Sequence, residues 1–107
     1  MRMTELQFRL IKENLRLLTS KPCFYKEKLQ DIDIESIKTQ EDFEKLPFTW
    51  KGDLREAYPL GLQAVPDEEI VRIHSSSGTT GTPIIIPYTQ KDVDDWAKMF
   101  ARCYELA

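Results

Sequence analysis

Apolar side chains recur at helical spacing near both ends of the chain. Over residues 4–19 they form an amphipathic pattern made of Phe8, Ile11, Leu15 and Leu18, widened by Leu6, Leu10 and Leu17. Thr4 is the expected N-cap, and Pro22 ends the pattern. A second helix is predicted after Thr89, with Asp92 in its first turn and a stripe made of Val93, Trp96, Ala97, Phe100, Ala101 and Tyr104. We expect the apolar faces of both helices to pack into the hydrophobic core. Because the first stripe is broad, a surface that binds a partner is the alternative for the first helix.

Between these helices, residues 24–58 read as short helical pieces separated by breaks. Thr39 is the expected cap of one piece that Pro47 stops, and Thr49 is the expected cap of another that runs to about Ala57. The isoleucines between the pieces are predicted to pack them together: Ile32, Ile34 and Ile37. The local carboxylates are Glu41, Asp42 and Glu44. Their place at a helix start favours a capping role over acid–base chemistry.

The pattern changes after a connection at residues 61–69. Residues 70–74 contain three β-branched apolar side chains and residues 84–86 are all isoleucine, which predicts two strands. Because residues 84–86 are apolar on both faces, we expect that strand to be covered on both sides. The fold class is therefore α/β, or α+β for the chain taken alone. It divides into a helical region at 1–66 and a strand–loop–strand–helix unit at 67–107.

Residues 75–83, between the predicted strands, consist almost entirely of hydroxyl-bearing residues and glycines. Glycines let backbone N–H groups approach an anion, and hydroxyls add rotatable donors around phosphate oxygens. A solvated turn is the alternative, although the loop is longer than a tight hairpin needs and ends in Pro83. It is neither a Walker A loop nor a dinucleotide fingerprint. His74, the sole histidine, is expected to orient this loop rather than to transfer protons.

The loop Ser76-Ser77-Gly78-Thr79-Thr80-Gly81-Thr82-Pro83 resembles the phosphate-binding loop of the adenylate-forming enzymes, the superfamily of acyl-CoA synthetases, luciferases and peptide-synthetase adenylation domains. Many members carry lysine after the proline, where this chain has Ile84. This departure resembles one branch, the phenylacetate–coenzyme A ligases. Further motifs similar to that branch are Pro22-Cys23-Phe24-Tyr25, Leu46-Pro47-Phe48-Thr49, Asp53-Leu54-Arg55, Tyr58-Pro59, Ala64-Val65-Pro66 and Val71-Arg72-Ile73-His74. The resemblance runs from about residue 5 to the end of the chain.

The resemblance implies an enzyme that joins phenylacetate, or a related aryl acid, to coenzyme A through an acyl-adenylate, with release of pyrophosphate and AMP. The implied ATP-binding residues are Ser76, Ser77, Gly78, Thr79, Thr80, Gly81 and Thr82. ATP, Mg²⁺ and coenzyme A are the implied cofactors and co-substrates; no catalytic residue or metal ligand is assigned here. Because family members are several times longer, we expect an N-terminal piece that is inactive alone and self-associates through unpaired strand edges.

Composition and charge argue against several other classes of protein. The 107 residues suffice for one small domain, and the net charge of −3 is spread without a basic block, so nucleic-acid binding is not indicated. No apolar run predicts a membrane span or a signal peptide. The only cysteines, Cys23 and Cys103, form neither a metal motif nor a disulfide scaffold, which favours the cytoplasm. Two alternatives stay open: a non-catalytic helical module whose loop binds an anion or a partner, and a fragment with an inert loop.

Overall fold

The computed structural model describes residues 2–76 and 81–107. In this part of the chain, the helices are α1 (Glu5–Ser20), α2 (Phe24–Lys28), α3 (Gln40–Glu44), α4 (Lys51–Glu56) and α5 (Gln90–Leu106). Short 3₁₀ turns occupy Ile34–Ser36 and Asp67–Glu69, and the strands are β1 (Ile70–Ser75) and β2 (Ile85–Thr89). The architecture is therefore mixed helix and antiparallel sheet, compatible with the predicted α+β class.

Three helices have as their N-caps the threonines that the sequence predicted. The Thr4 hydroxyl accepts a hydrogen bond from the Gln7 N–H (3.2 Å), while the Gln7 side chain accepts one from the Thr4 N–H (2.8 Å). The same reciprocal arrangement joins Thr39 to Asp42 and Thr89 to Asp92. Two otherwise unpaired N–H groups are thereby satisfied at each start. Asp42 thus has the capping role expected for it.

The predicted cap at Thr49 is wrong. Helix α4 begins one residue later, with Trp50 as its N-cap. The Trp50 N–H donates to the Asp53 carboxylate (2.9 Å), which also accepts from the Lys28 ammonium group (3.0 Å). A carboxylate at the third helical position selects the residue three places before it, so Asp53 fixes the start at Trp50.

The threonine at the start of α5 provides a test of capping. Replacing Thr89 with alanine should lower the free energy of unfolding by about 1 kcal/mol, because the Asp92 N–H loses its acceptor. Replacing Thr49, which caps no helix, should change stability by less than about 0.5 kcal/mol. Urea unfolding followed by circular dichroism measures both changes, and equal losses would contradict the assignment.

The Lys28–Asp53 ion pair joins α2 to α4 and makes stability depend on pH. Hydrogen bonding from the Trp50 N–H, and then from Lys28, lowers the pKa of Asp53. A lowered pKa stabilises the fold above the unfolded-state pKa of about 4, and this contribution disappears as pH falls through the folded-state pKa. The urea midpoint should therefore fall on acidification below about pH 4. It should fall less in Asp53→Asn, whereas Asp31→Asn, an exposed control, should follow the unchanged protein.

The buried core lies in the helical region. Leu15, Leu29 and Ile37 are only 7%, 6% and 2% exposed and form one cluster. Partly buried side chains pack around it: Ile11, Leu18, Tyr25, Ile32, Ile34, Phe43 and Leu46. The predicted packing role of the three isoleucines is confirmed. By contrast, the leucines that widen the α1 stripe are about half exposed: Leu6, Leu10 and Leu17.

The two strands form an antiparallel hairpin, with Ile70 opposite Thr89 at one end and Ser75 opposite Ile85 at the other. The second strand begins at Ile85 and continues past the predicted residues 84–86 to Thr89. The prediction that it is covered on both sides is wrong for this chain, because every residue of β2 is half-buried. The described residues contribute two strands to the sheet, too few to enclose either of them.

The apolar stripe of α5 does not form core in this chain, contrary to prediction. Trp96 and Phe100 are 47% and 48% exposed, and Tyr104 is 77% exposed. Helix α5 contacts β2. Within residues 2–76 and 81–107, the buried apolar side chains all precede the hairpin.

Candidate functional site

The predicted phosphate loop begins where β1 ends, and paired hydrogen bonds join its two sides. The Ser76 N–H donates to the Ile84 carbonyl (2.9 Å), and the Ile84 N–H donates to the Ser76 hydroxyl oxygen (2.9 Å). These bonds extend the hairpin by one step beyond the Ser75–Ile85 pair. The loop therefore connects the two strands beyond the Ser76–Ile84 pair, which we call the loop root.

The described part of the loop faces solvent. Ser76, Gly81 and Thr82 are exposed, while Pro83 and Ile84 are half-buried. Gly81 has a backbone φ of +80°. This is the left-handed region that glycine adopts without a steric cost, which explains the residue type at this position. The other predicted binding residues lie outside the described residues: Ser77, Gly78, Thr79 and Thr80.

The hydrogen bonds of Ser76 limit what it offers to an anion. Its backbone N–H is engaged by Ile84, so it is not available to a phosphate oxygen in this arrangement. Its hydroxyl oxygen accepts a bond from Ile84, and among the described residues the hydroxyl proton donates to no partner. Ser76 thus joins the two sides of the loop through its backbone and hydroxyl bonds to Ile84. Its hydroxyl is the one group that it offers to an anion as a hydrogen-bond donor.

The loop has little positive charge of its own. Between Ile73 and Gln90 the sequence contains neither lysine nor arginine. An anion at the loop would be held by backbone N–H groups, hydroxyls and any cation that it brings with it. Among the described residues, no cluster of three or more histidine, cysteine or acidic side chains has a metal-binding arrangement.

Aromatic side chains surround His74, which lies two residues before the loop root. Its ring centroid is 4.7 Å from that of Tyr88 and 6.0 Å from that of Trp96, both edge to face. Trp96 in turn makes an edge-to-face contact with Phe100 (5.2 Å). His74 is half-buried. The contacts with Tyr88 and Trp96 were not predicted, although the pairing of His74 with Ile86 places Tyr88 on the same face of the sheet.

A separate cleft of about 550 Å³ lies between α1 and the far end of the hairpin. Its apolar lining includes Leu10 and Leu17 from α1 and Ile70 and Pro87 from the strands. Ile70 stands at the end of β1 opposite to Ser75, so this cleft does not belong to the loop. Two of the three exposed leucines of α1, Leu10 and Leu17, therefore line this cleft.

Considered over residues 2–76 and 81–107, no helix combines the length and the apolar character needed to cross a membrane.

Comparison with known proteins gives several close matches and no matching family model. The chain is 55% identical over 67 residues to a phenylacetate-coenzyme A ligase from Pseudomonas putida, a match that covers 63% of this chain and 15% of the relative. It is 46% identical over 81 residues to the enzyme of the same name from Thermus thermophilus, covering 74% of this chain and 18% of the relative. The Escherichia coli ligase is 53% identical over 66 residues, with coverages of 62% and 15%.

The chain spans less than a fifth of the length of these relatives. Identities of 46–55% nevertheless extend over most of its residues, well beyond the loop itself. The resemblance found in the sequence motifs is confirmed: this chain is related to a segment of the phenylacetate–coenzyme A ligases.

Proposed function

We propose that the chain is the phosphate-binding segment of an ATP-dependent, AMP-forming acid–coenzyme A ligase. The complete reaction would convert phenylacetate or a related aryl acid, ATP and coenzyme A to acyl-coenzyme A, AMP and pyrophosphate through an acyl-adenylate. The observation that carries this proposal is a glycine- and hydroxyl-rich sequence between the two strands of an antiparallel hairpin, in a chain related to ligases of that name.

In this function the loop holds the β- and γ-phosphates of ATP and then the departing pyrophosphate. Gly81 and Thr82 are exposed beside the loop root, and Gly81 has a positive φ, one of the two conformations that an anion-binding nest combines. Ser77, Gly78, Thr79 and Thr80 complete the proposed binding set, together with the hydroxyl of Ser76. Catalysis by such a loop consists of positioning and of stabilising developing charge.

The residues present fit a phosphate chain better than they fit a metal alone. Hydroxyls and glycine N–H groups are donors, which suit phosphate oxygens. Mg²⁺ prefers oxygen ligands and keeps part of its water shell, so in this proposal it arrives bound to the phosphates. It would supply charge neutralisation there. Coenzyme A and the aryl acid are co-substrates of the proposed reaction, and we assign no residue of this chain to them.

We also propose the division of the chain at residues 66 and 67. The buried cluster of Leu15, Leu29 and Ile37 supports an independent helical region. The exposed α5 stripe supports a second unit whose apolar surface needs a larger partner, which agrees with a segment that is inactive alone. Self-association stays a prediction.

A chimeric enzyme tests the proposed function. The segment of the Pseudomonas putida ligase that corresponds to this chain would be replaced by the whole 107-residue chain, and phenylacetate-dependent ATP–pyrophosphate exchange would be measured. We expect exchange to persist in the chimera and to fall by roughly tenfold or more when Thr79 and Thr80 are both changed to alanine, because two hydrogen bonds to charged oxygens are lost.

Thr49→Ala in the same chimera is the matched control and should leave exchange unchanged, since Thr49 caps no helix. If the double threonine variant exchanged pyrophosphate at the rate of the parent chimera, the loop would have no phosphate-binding role.

A further inference from the structure

His74 differs from its neighbours at the end of β1. Ile73 is 56% exposed, and Ser75 and Ser76 are also exposed, whereas His74 is half-buried. Its ring contacts Tyr88 from β2 and Trp96 from α5. Over these last residues of the strand, His74 therefore makes the side-chain connection to the rest of the hairpin–helix unit.

The geometry explains why this connection reaches the loop. His74 lies opposite Ile86, and side chains of a strand alternate between faces, so His74 and Tyr88 share the face against which α5 stands. The loop root follows only two residues after His74. The packing of the imidazole ring therefore restrains the strand end from which the loop begins.

We propose that His74, Tyr88 and Trp96 form a positioning cluster that holds the root of the phosphate loop against α5. This inference rests on the proposed function, because positioning has a consequence only if the loop binds phosphate. His74 acts through the packing of its ring and touches no phosphate in this account. The residue is thus a positioning residue, and its imidazole nitrogens are dispensable.

Edge-to-face aromatic contacts are strong enough to change a conformational equilibrium measurably. Loss of the two contacts made by the His74 ring should change the equilibrium between the ordered and displaced loop root by about tenfold. His74→Phe keeps a planar ring of similar size and should restore most of the effect. A proton-transfer or phosphate-contacting role would not be restored, because phenylalanine has no nitrogen.

The test uses the whole 107-residue chain. One measurement is the amide hydrogen exchange of the Ser76 and Ile84 N–H groups, which make the two root bonds. The other is the dissociation constant for Mg²⁺–pyrophosphate, obtained by NMR titration. His74→Ala should speed root exchange and weaken pyrophosphate binding by about tenfold, and Trp96→Ala, which removes one of the two ring contacts, should change both by about threefold. Tyr104→Ala, on the same helix but 77% exposed, should change neither quantity.

The outcomes separate this inference from the function on which it rests. If the unchanged chain does not bind pyrophosphate, the proposed function fails and the positioning role fails with it. If it binds and His74→Ala binds equally well, only the positioning role is wrong. If His74→Phe is as impaired as His74→Ala while the helical circular dichroism is retained, the imidazole itself is required, which also overturns the inference.

Discussion

Replacing Ile37 with alanine should lower the free energy of unfolding of the helical region by about 2–5 kcal/mol. Ile37 is 2% exposed and packs with Leu15 and Leu29 at the centre of the buried cluster. Truncation removes buried methyl and methylene groups and leaves a cavity, and both effects destabilise the fold. Because the cluster contains so few buried side chains, this loss should be a large share of the total stability. Urea unfolding followed by helical circular dichroism provides the measurement.

Ile73→Ala is the matched control for Ile37→Ala. The two positions carry the same residue type, but Ile73 is 56% exposed on the hairpin. Its truncation should change stability by about 0.5 kcal/mol or less. If the two alanine variants lost equal stability, the core would not lie where the structure places it.

Gly61→Ala should destabilise the protein by about 1–3 kcal/mol. A Cβ at Gly61 would lie 2.6 Å from the carbonyl oxygen of Ala57, closer than van der Waals contact allows. The backbone cannot easily move away. The Gly61 N–H donates to Ala57 (2.7 Å), and the Gly61 carbonyl accepts from the Phe24 N–H (2.8 Å). Substitution therefore disturbs the connection between α2 and the segment after α4.

Gly52→Ala should have the opposite effect on stability from Gly61→Ala. Gly52 lies in α4, and nothing is within 4 Å of the Cβ that alanine would add. Alanine has a higher helix propensity than glycine, so stability should rise by about 0.5–1 kcal/mol. Thermal unfolding of both glycine variants tests the pair. A loss of stability in both would show that the packing around Gly61 is not the cause.

Local features of this fold could be predicted from sequence because their causes are local. The caps at Thr4, Thr39 and Thr89 each need one hydroxyl and a polar side chain three residues later, and all three are confirmed. The prediction of a cap at Thr49 is wrong because Thr49 lies one residue before Trp50, the N-cap of α4. There the deciding group is Asp53, whose carboxylate reaches Trp50 and Lys28.

Features that depend on distant partners could not be predicted. The periodicity of α5 shows that one face is apolar, but it does not say whether a partner covers that face, and in this chain Trp96 and Phe100 remain half exposed. The contact of His74 with Trp96 likewise joins residues far apart in sequence. For the loop, the sequence motifs identified the family, and the structure adds the root bonds between Ser76 and Ile84.

The central claim is that the loop following β1 binds the phosphates of a nucleotide. An NMR titration of the isotope-labelled chain with Mg²⁺–ATP, Mg²⁺–pyrophosphate and adenosine tests it most directly. Our account predicts saturable shifts of the Gly81 and Thr82 amides with ATP and pyrophosphate, and none with adenosine. Unchanged loop amides at millimolar pyrophosphate, or shifts confined to the cleft beside α1, would contradict it.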